Sequence, residues 1–457
     1  MSVYVRLKYI LSSKLGIDKA IGFTVVARFI QGVGGFVSLF LIAAYLTSEE
    51  QGFYYTFGSI LAIQIFFELG FNGIITQYAA HETAHIHSYD STEVEQEKIA
   101  QSRLSSLLHF CIKWFSILAL GLFVILMIVG NMFFKKYGHG INVNWEIPWI
   151  ILVGNTSFSF VLSPILSFLQ GLGFVKDIAK LRLIQQTVNM GILWLLLIAG
   201  GKLYSAPIAG FSSLFIVFFI LFFSKFKTLL KKIWKLLSQW KINYKKEIFP
   251  YQWKIALSWI SGYFIFQLFN PVLFATDGAV VAGQMGMTLA VLNGIQNLSI
   301  SWMTTKVPLY SRLIALKDYS QLNKIFNKTF KQLLLINAIG LMIMLLGIYI
   351  LRSYNITVHS MNLGERFLDY IPMLLMMGAL FLNQFIFSWA TYLRCHKQEP
   401  MLWQSVTIGI LCMLSTIIFG KLFGVKGITT GYFIITILSF IWAYKIFQKK
   451  KKKWHSN

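Results

Sequence analysis

KFKTLLKKIWKLLSQWKINYKKEIFPYQWK, residues 225–254, carries nine lysines and one glutamate. On either side lie uncharged apolar runs, APIAGFSSLFIVFFILFFS (206–224) and IALSWISGYFIFQLFNPVLFAT (255–276). Each run is close to the roughly 20 residues that a helix needs to cross a bilayer. A dense cationic segment between two such runs marks a loop kept on the cytoplasmic side of a membrane, the side where Lys and Arg accumulate. The rest of the chain repeats the pattern, with apolar runs separated by alternately heavy and light basic loops.

Composition excludes a soluble protein. Of 457 residues, 56% are hydrophobic and 13% charged, whereas a soluble domain is about 25% charged. So little polar surface cannot cover a chain of this size. The formal charge of +24 would by itself suit a nucleic-acid binder. Its clustering makes it a record of topology instead, and no nucleic-acid partner is expected. Cys111, Cys395 and Cys412 have neither the spacing of a disulfide framework nor that of a metal knuckle. The run from His81 to Glu97 mixes histidines and acids without ordered ligand spacing and reads as a hydrated inner loop, so no metal site is expected. Residues 1–19 are mixed and basic, and the first apolar run is too long for the h-region of a cleaved leader.

The expected fold is an all-α polytopic membrane protein with twelve transmembrane helices in two six-helix bundles. The spans fall near 20–45, 53–77, 109–130, 148–169, 183–200 and 206–224, then 254–276, 284–304, 330–350, 369–391, 401–420 and 427–446. With the N-terminus inside, 33 of the 41 Lys and Arg lie in inner segments. Seven lie in outer loops: Lys135, Lys136, Lys202, Arg352, Arg366, Lys421 and Lys426. A miscount by one helix would invert every later loop and destroy this bias. Both termini are therefore expected in the cytoplasm. The long basic loop divides the chain into an N-terminal bundle with the start of an amphipathic linker (1–235) and a C-terminal bundle with a basic tail (236–457). LTSEEQGFYYTFGSILAIQIFFELG (46–70) and FATDGAVVAGQMGMTLAVLNGIQNL (274–298) occupy corresponding places after spans one and seven, as in parallel repeats. Two readings stand for the linker and for the lysine tail at 449–453: a topology signal alone, or a surface lying on anionic membrane lipid.

One cation is left inside a span. Arg28 lies about 12 Å past the inner end of span one, and Glu68 about 14 Å from the inner end of span two, at 1.5 Å per residue. An ion pair between them would either fix helix packing or serve function, with Arg28 on a substrate phosphate and Glu68 responding to protons. Gln31, Gln64 and Asn72 add amides to the first half. Gln267 and Asn270 share one helical face in the second, as do Asn293, Gln296 and Asn297. Such amides suit a transported sugar and equally suit interhelical contact. Pro164 and Pro271 are the expected bends, and Glu49, Glu50 and Asp277 read as hydrated loop charges. No catalytic triad or paired carboxylates appear, so an enzyme is not expected, and no cofactor is implied. No nucleotide-binding motif is present. Any work must draw on a H+ or Na+ gradient or on the gradient of the substrate itself.

Arg28-Phe29, the turn Tyr45-Leu46-Thr47-Ser48-Glu49-Glu50-Gln51-Gly52, Phe57 and Glu68-Leu69-Gly70 together resemble the polysaccharide-unit flippases of the multidrug/oligosaccharidyl-lipid/polysaccharide exporter superfamily. The resemblance extends over the full length, though its motifs are diffuse. It implies two pseudo-symmetric bundles around a cationic cavity. It also implies transfer of an undecaprenyl-diphosphate-linked oligosaccharide, such as an O-antigen repeat unit for lipopolysaccharide, across the bacterial cytoplasmic membrane. A polysaccharide polymerase or chain-length regulator is the partner protein it suggests. Arg28 matches the membrane-embedded cation of that family, whereas the second half offers no deep Arg or Lys. Cation-coupled drug and toxin extruders share the architecture and form the alternative; a non-transporting scaffold of a glycan assembly complex is a third reading.

Overall fold

A computed structural model of the chain describes residues 32, 34–86, 95–359, 361–396 and 398–455. Arg28 and Gln31 lie outside the described residues. The described chain is mostly helical. Eight of its helices are long and apolar enough to cross a membrane, and one bent pair makes a ninth. The predicted first span is described only from its middle onward, as α1, Gly34–Tyr45. Predicted span two is the bent pair, whose pieces are α2 (Ser48–Leu61), α3 (Ile65–Glu68) and α4 (Phe71–Thr83). Predicted span eight is a 26-residue helix that is long enough to cross but falls short in apolarity. Predicted spans eleven and twelve lie within one element, Leu402–His455, broken at Gly424 (φ 56°, ψ −142°).

The remaining elements follow in order. They are α5 (Glu95–Tyr137), α6 (Glu146–Gly171), α7 (Val175–Ile198), α8 (Ser205–Phe223) and α9 (Lys225–Lys235). Next come α10 (Phe249–Phe266), α11 (Phe269–Thr276), α12 (Ala279–Thr304), α13 (Val307–Ala315) and α14 (Tyr319–Ser353). A small antiparallel hairpin of β1 (Thr357–Val358) and β2 (Met361–Asn362) departs from the all-helical expectation. The chain closes with α15 (Tyr370–Arg394) and α16 (Leu402–His455).

Two compact units divide these elements. The first holds residues up to Ser38, Gln64–Asn131 and Asn144–Ile255; the second holds Leu39–Ile63, Met132–Val143 and Ala256–Asn457. The units interleave in sequence, because the turn between α1 and α2 packs with helices that come more than 200 residues later.

α5, most of which belongs to the first unit, runs for 43 residues, about 65 Å at 1.5 Å per residue, roughly twice the hydrocarbon thickness. Its early turns carry a row of small polar residues that hold the linker. Ser105 Oγ donates to Trp234 O (3.1 Å) and Ser102 Oγ to Trp240 O (2.8 Å). Ser238 N donates to Ser102 Oγ (2.9 Å), Ile242 N to Ser106 Oγ (3.4 Å), and the His109 ring stacks on Trp234 at 3.5 Å. The amphipathic face of α9 is covered by protein, with Phe226 and Ile233 buried; Phe226 joins the cluster of Leu166, Leu169 and Leu221. α1 packs on α7, where Trp194 Nε1 donates to Ser38 Oγ (2.8 Å) and Ser38 Oγ to Gly34 O (2.8 Å).

In the second unit, α2 crosses α12 at near-backbone contact. A Cβ on Gly283 would lie 2.9 Å from Gly52 N, and one on Gly52 would collide with the carbonyl of Ala279. α2 begins with a capping box. Glu50 N donates to Thr47 Oγ1 (3.1 Å) and Thr47 N to Glu50 Oε2 (3.0 Å). Glu50 is therefore buried rather than a hydrated loop charge. Pro271 accounts for the break between α10 and α11. It has no N–H for Gln267 O, four residues back, and its ring crowds that carbonyl. Pro164, by contrast, sits inside an uninterrupted α6.

Gly52→Ala is expected to destabilise the purified protein by about 1–3 kcal/mol through overpacking. Gly58→Ala, on the same helix with nothing within 4 Å of the new methyl, is expected to be neutral or stabilising by about 0.5–1 kcal/mol. Melting followed by size-exclusion fluorescence separates the two; equal losses would contradict the crossing.

Candidate functional site

The break in span two is built from two consecutive left-handed residues, Leu69 (φ 48°) and Gly70 (φ 69°), which turn α4 by 41° from the preceding helix. Glycine adopts this conformation freely, whereas leucine does so at a cost. The break places Glu68 beside Asn72, whose Nδ2 donates to Glu68 Oε1 (2.7 Å) and to Ser163 Oγ (2.6 Å). One turn on, Thr76 Oγ1 donates to Asn72 O and Ser167 O, both at 3.1 Å. Ser163, Ser167 and Gly171 thus form a small-residue stripe at four-residue spacing on α6. A Cβ on Gly171 would stand 2.6 Å from Thr76 O. Among the described residues Asn72 Oδ1 is buried without a hydrogen-bond partner, beside the Glu68 carboxylate.

The second unit contains a cavity of about 150 Å³ between α10, α15 and the two halves of α16. One wall is polar. Asn383 Nδ2 donates to the Tyr432 hydroxyl (3.0 Å), and Gln404 Nε2 donates to Ser439 O (2.9 Å) and Oγ (3.0 Å). Another wall offers the rings of Phe266 and Phe387, 6.2 Å apart. Arg394 is the single charged residue in the lining, and Glu399 accepts three hydrogen bonds from its guanidinium at 2.6–3.0 Å.

The described candidates from the sequence do not gather here. Gln64 and Gln267 are half-buried near the helix breaks. Asn270 is buried and donates to Ser59 Oγ (3.1 Å). Gln296 is buried, its carbonyl accepting from Gln384 Nε2 (3.2 Å). Asn293 and Asn297 are exposed and Gln296, on the same arc of α12, is buried. No described candidate lines the cavity.

Two charged positions, Arg366 and Arg103, have partners the sequence did not indicate, and Asp277, exposed as expected, has one as well. Arg366 reads from the sequence as an outer-loop cation, yet it is 2% exposed and its Nη2 donates to Leu46 O (2.6 Å). Burial pushes its guanidinium below the usual range, against the opposing field of Glu49, Glu50 and Glu365. Its carbonyl accepts from Gln51 Nε2 (3.2 Å), which also donates to Gly283 O (2.9 Å). Asp277 accepts from Val425 N (3.4 Å) at the Gly424 kink, across 148 residues. Arg103 bridges Glu82 (3.0 Å) and Glu247 (2.6 Å) and so ties the end of the linker to α4. Burial raises the Glu247 pKa, but hydrogen bonds from Arg103 and the Asn243 backbone outweigh it and hold the carboxyl below its usual range.

No protein-family model matches the chain, and no curated protein matches it significantly. Solved structures do match. The DinF-BH multidrug transporter of the MATE family, in complex with R6G, superposes with a TM-score of 0.62 at 14% identity, covering 94% of this chain and 95% of the other. An inward-facing multidrug resistance MATE family transporter of the MOP superfamily gives 0.58 at 14% identity, covering 95% and 99%. The lipid II flippase MurJ in an inward closed conformation gives 0.53 at 15% identity, covering 93% and 89%. At such identities the likeness shows a shared fold. The chain is a multi-pass helical membrane protein with the fold of these transporters.

Asn383→Leu removes one of the two side-chain partners of the buried Tyr432 hydroxyl, leaving Thr436, and is expected to cost about 1 kcal/mol. Adding Tyr432→Phe should recover part of that loss in a double-mutant cycle read by thermal melting. Additive losses would remove the pair from the cavity wall. For Glu247 the folded pKa lies below the unfolded one. Its stabilisation is therefore complete above the ordinary carboxylate value of about 4.3 and is lost as pH falls through the folded pKa. The melting difference between wild type and Glu247→Gln should be constant at neutral pH and shrink only below about pH 4. A difference that grows on acidification would reverse the assignment.

Proposed function

We propose that this chain moves an undecaprenyl-diphosphate-linked oligosaccharide, an O-antigen or similar surface-polysaccharide repeat unit, from the inner to the outer leaflet of the bacterial cytoplasmic membrane by alternating access. The reading includes twelve spans in two six-helix halves and both termini in the cytoplasm. Energy comes from a H+ or Na+ gradient or from the lipid-linked glycan itself, and a polysaccharide polymerase or chain-length regulator receives the product.

The cavity lining carries this reading. Its polar wall consists of amides and hydroxyls, its other wall holds aromatic rings, and its one charge is cationic. Amides and hydroxyls both donate and accept hydrogen bonds, as sugar hydroxyls require. A site for a cationic drug would be served by a free carboxylate; among the described residues the only carboxylate at this edge, Glu399, is already paired with Arg394. The cation-coupled extruder remains the second reading. The multidrug MATE transporters among the structural neighbours favour it, one of them in complex with R6G.

Purified protein in proteoliposomes, supplied with a fluorescent undecaprenyl-diphosphate glycan, tests the proposal. Protein-dependent exposure of the glycan at the opposite leaflet is expected, with at least a several-fold slower rate in Arg28→Ala. Gradient-driven uptake of a cationic dye without glycan transfer would overturn the flippase in favour of the extruder. Neither activity would leave the scaffold.

A further inference from the structure

The linker that separates the two predicted halves is not a free tether. Residues 234–242 are bound along α5 by Ser102, Ser105, Ser106 and the stacked His109. Arg103 secures the next segment through Glu247. The apolar side of α9 is spent on protein contacts, so α9 has no hydrophobic face left to sink into lipid. Apart from Leu237, what residues 225–246 leave outside is polar and mainly cationic. Lys227, Lys231, Lys235, Lys241, Lys245 and Lys246 are all exposed. Lys225, by contrast, is engaged by Asp177 at 3.1 Å.

Both ends of this strap meet rings that face away from protein. Phe215, Phe219, Phe222 and Phe223 are exposed along α8, up to the residue before Ser224, where α9 is capped. The Lys227 ammonium stands 6.0 Å from the rings of Phe222 and Phe223. At the other end Phe249 and Trp253 are exposed, and Lys254 lies over the Trp253 ring at 5.8 Å. A tryptophan beside a lysine, as Trp253 beside Lys254, marks the depth of lipid headgroups. A lysine shelf held at that depth is complementary to anionic lipid and is attracted within a Debye length.

We propose that residues 225–246 form a rigid cationic shelf that docks on the phosphates of anionic phospholipid in the inner leaflet. It binds through charge alone, without insertion. The proposal rests on the orientation in the functional reading above, but it does not require that the chain carry glycan.

Amine acetylation of the full-length protein in nanodiscs, read by peptide mass spectrometry, tests it. With phosphatidylglycerol present, the six lysines should react several-fold more slowly than in phosphatidylcholine alone, and high salt should abolish the difference. Lys135, Lys136 and Lys421, exposed in predicted outer loops, should change little. The combined variant Lys227→Gln, Lys231→Gln, Lys235→Gln should retain less phosphatidylglycerol by native mass spectrometry at unchanged melting temperature. Equal rates in both lipids would overturn the proposal, as would equal slowing of the outer lysines. Slowing by inorganic pyrophosphate in phosphatidylcholine, with no response to phosphatidylglycerol, would also overturn it and make the shelf a diphosphate dock. Since no arm measures transport, failure of the flippase reading leaves this result standing.

Discussion

Backbone amides in hydrocarbon have no water to bond, so a helix that breaks within a membrane must find another partner for each freed group. The two breaks within spans, and the kink between the last two spans, each coincide with a nearby polar side chain or a particular residue type. At Leu69–Gly70, Asn72 reaches both Glu68 and Ser163. At Gln267–Leu268, Pro271 removes the donor that would have been needed to continue the helix. At Gly424, Asp277 is brought from another helix to accept from Val425 N. Polar residues at these positions are therefore explained first by the breaks they attend, and a functional role has to be argued beyond that.

The second constraint is close approach. Between lipid-facing helices apolar burial gives little driving force, so contact area and small residues decide which helices meet. α4 and α6 meet through Ser163, Ser167 and Gly171, and α2 and α12 through Gly52 and Gly283. Around the latter crossing, Gln51 and Arg366 link three backbone carbonyls, those of Gly283, Arg366 and Leu46. Arg366 is thereby a packing residue: its guanidinium replaces solvent for a carbonyl at the end of α1.

Much of this was legible in the sequence, and the failures have physical causes. Apolar runs of about 20 residues located the eight helices, nine with the bent pair, that are long and apolar enough to cross, because length and hydropathy are local properties. The break at Pro271 followed from a missing N–H. The break at Leu69–Gly70 was less visible, because Leu-Gly occurs within ordinary helices and a left-handed leucine is seldom expected. Thr47-Ser48-Glu49-Glu50 has the spacing of a capping box, which was the signal that Glu50 is not a hydrated charge. Ser163-x-x-x-Ser167-x-x-x-Gly171 was likewise readable as a packing stripe. Arg366 and Asp277 were not, since their partners lie 320 and 148 residues away. The cavity was also illegible: Asn383, Gln404 and Tyr432 come from different helices, and periodicity within one helix says nothing about which helices converge.

A shared fold carries little information about cargo. At 14–15% identity to MATE transporters and to MurJ, the side chains that would meet a substrate are mostly different ones. The discriminating evidence must therefore come from the lining itself. A cation in a low-dielectric cavity favours a carboxylate partner, and sugars favour paired donors and acceptors. The Asn383–Tyr432 and Gln404–Ser439 pairs along the wall meet the second requirement, and the one carboxylate at the edge, Glu399, is already neutralised by Arg394. Each wall pair is already satisfied internally, so a ligand hydroxyl must either exchange with an existing bond or use the remaining lone pairs of Tyr432 and Ser439.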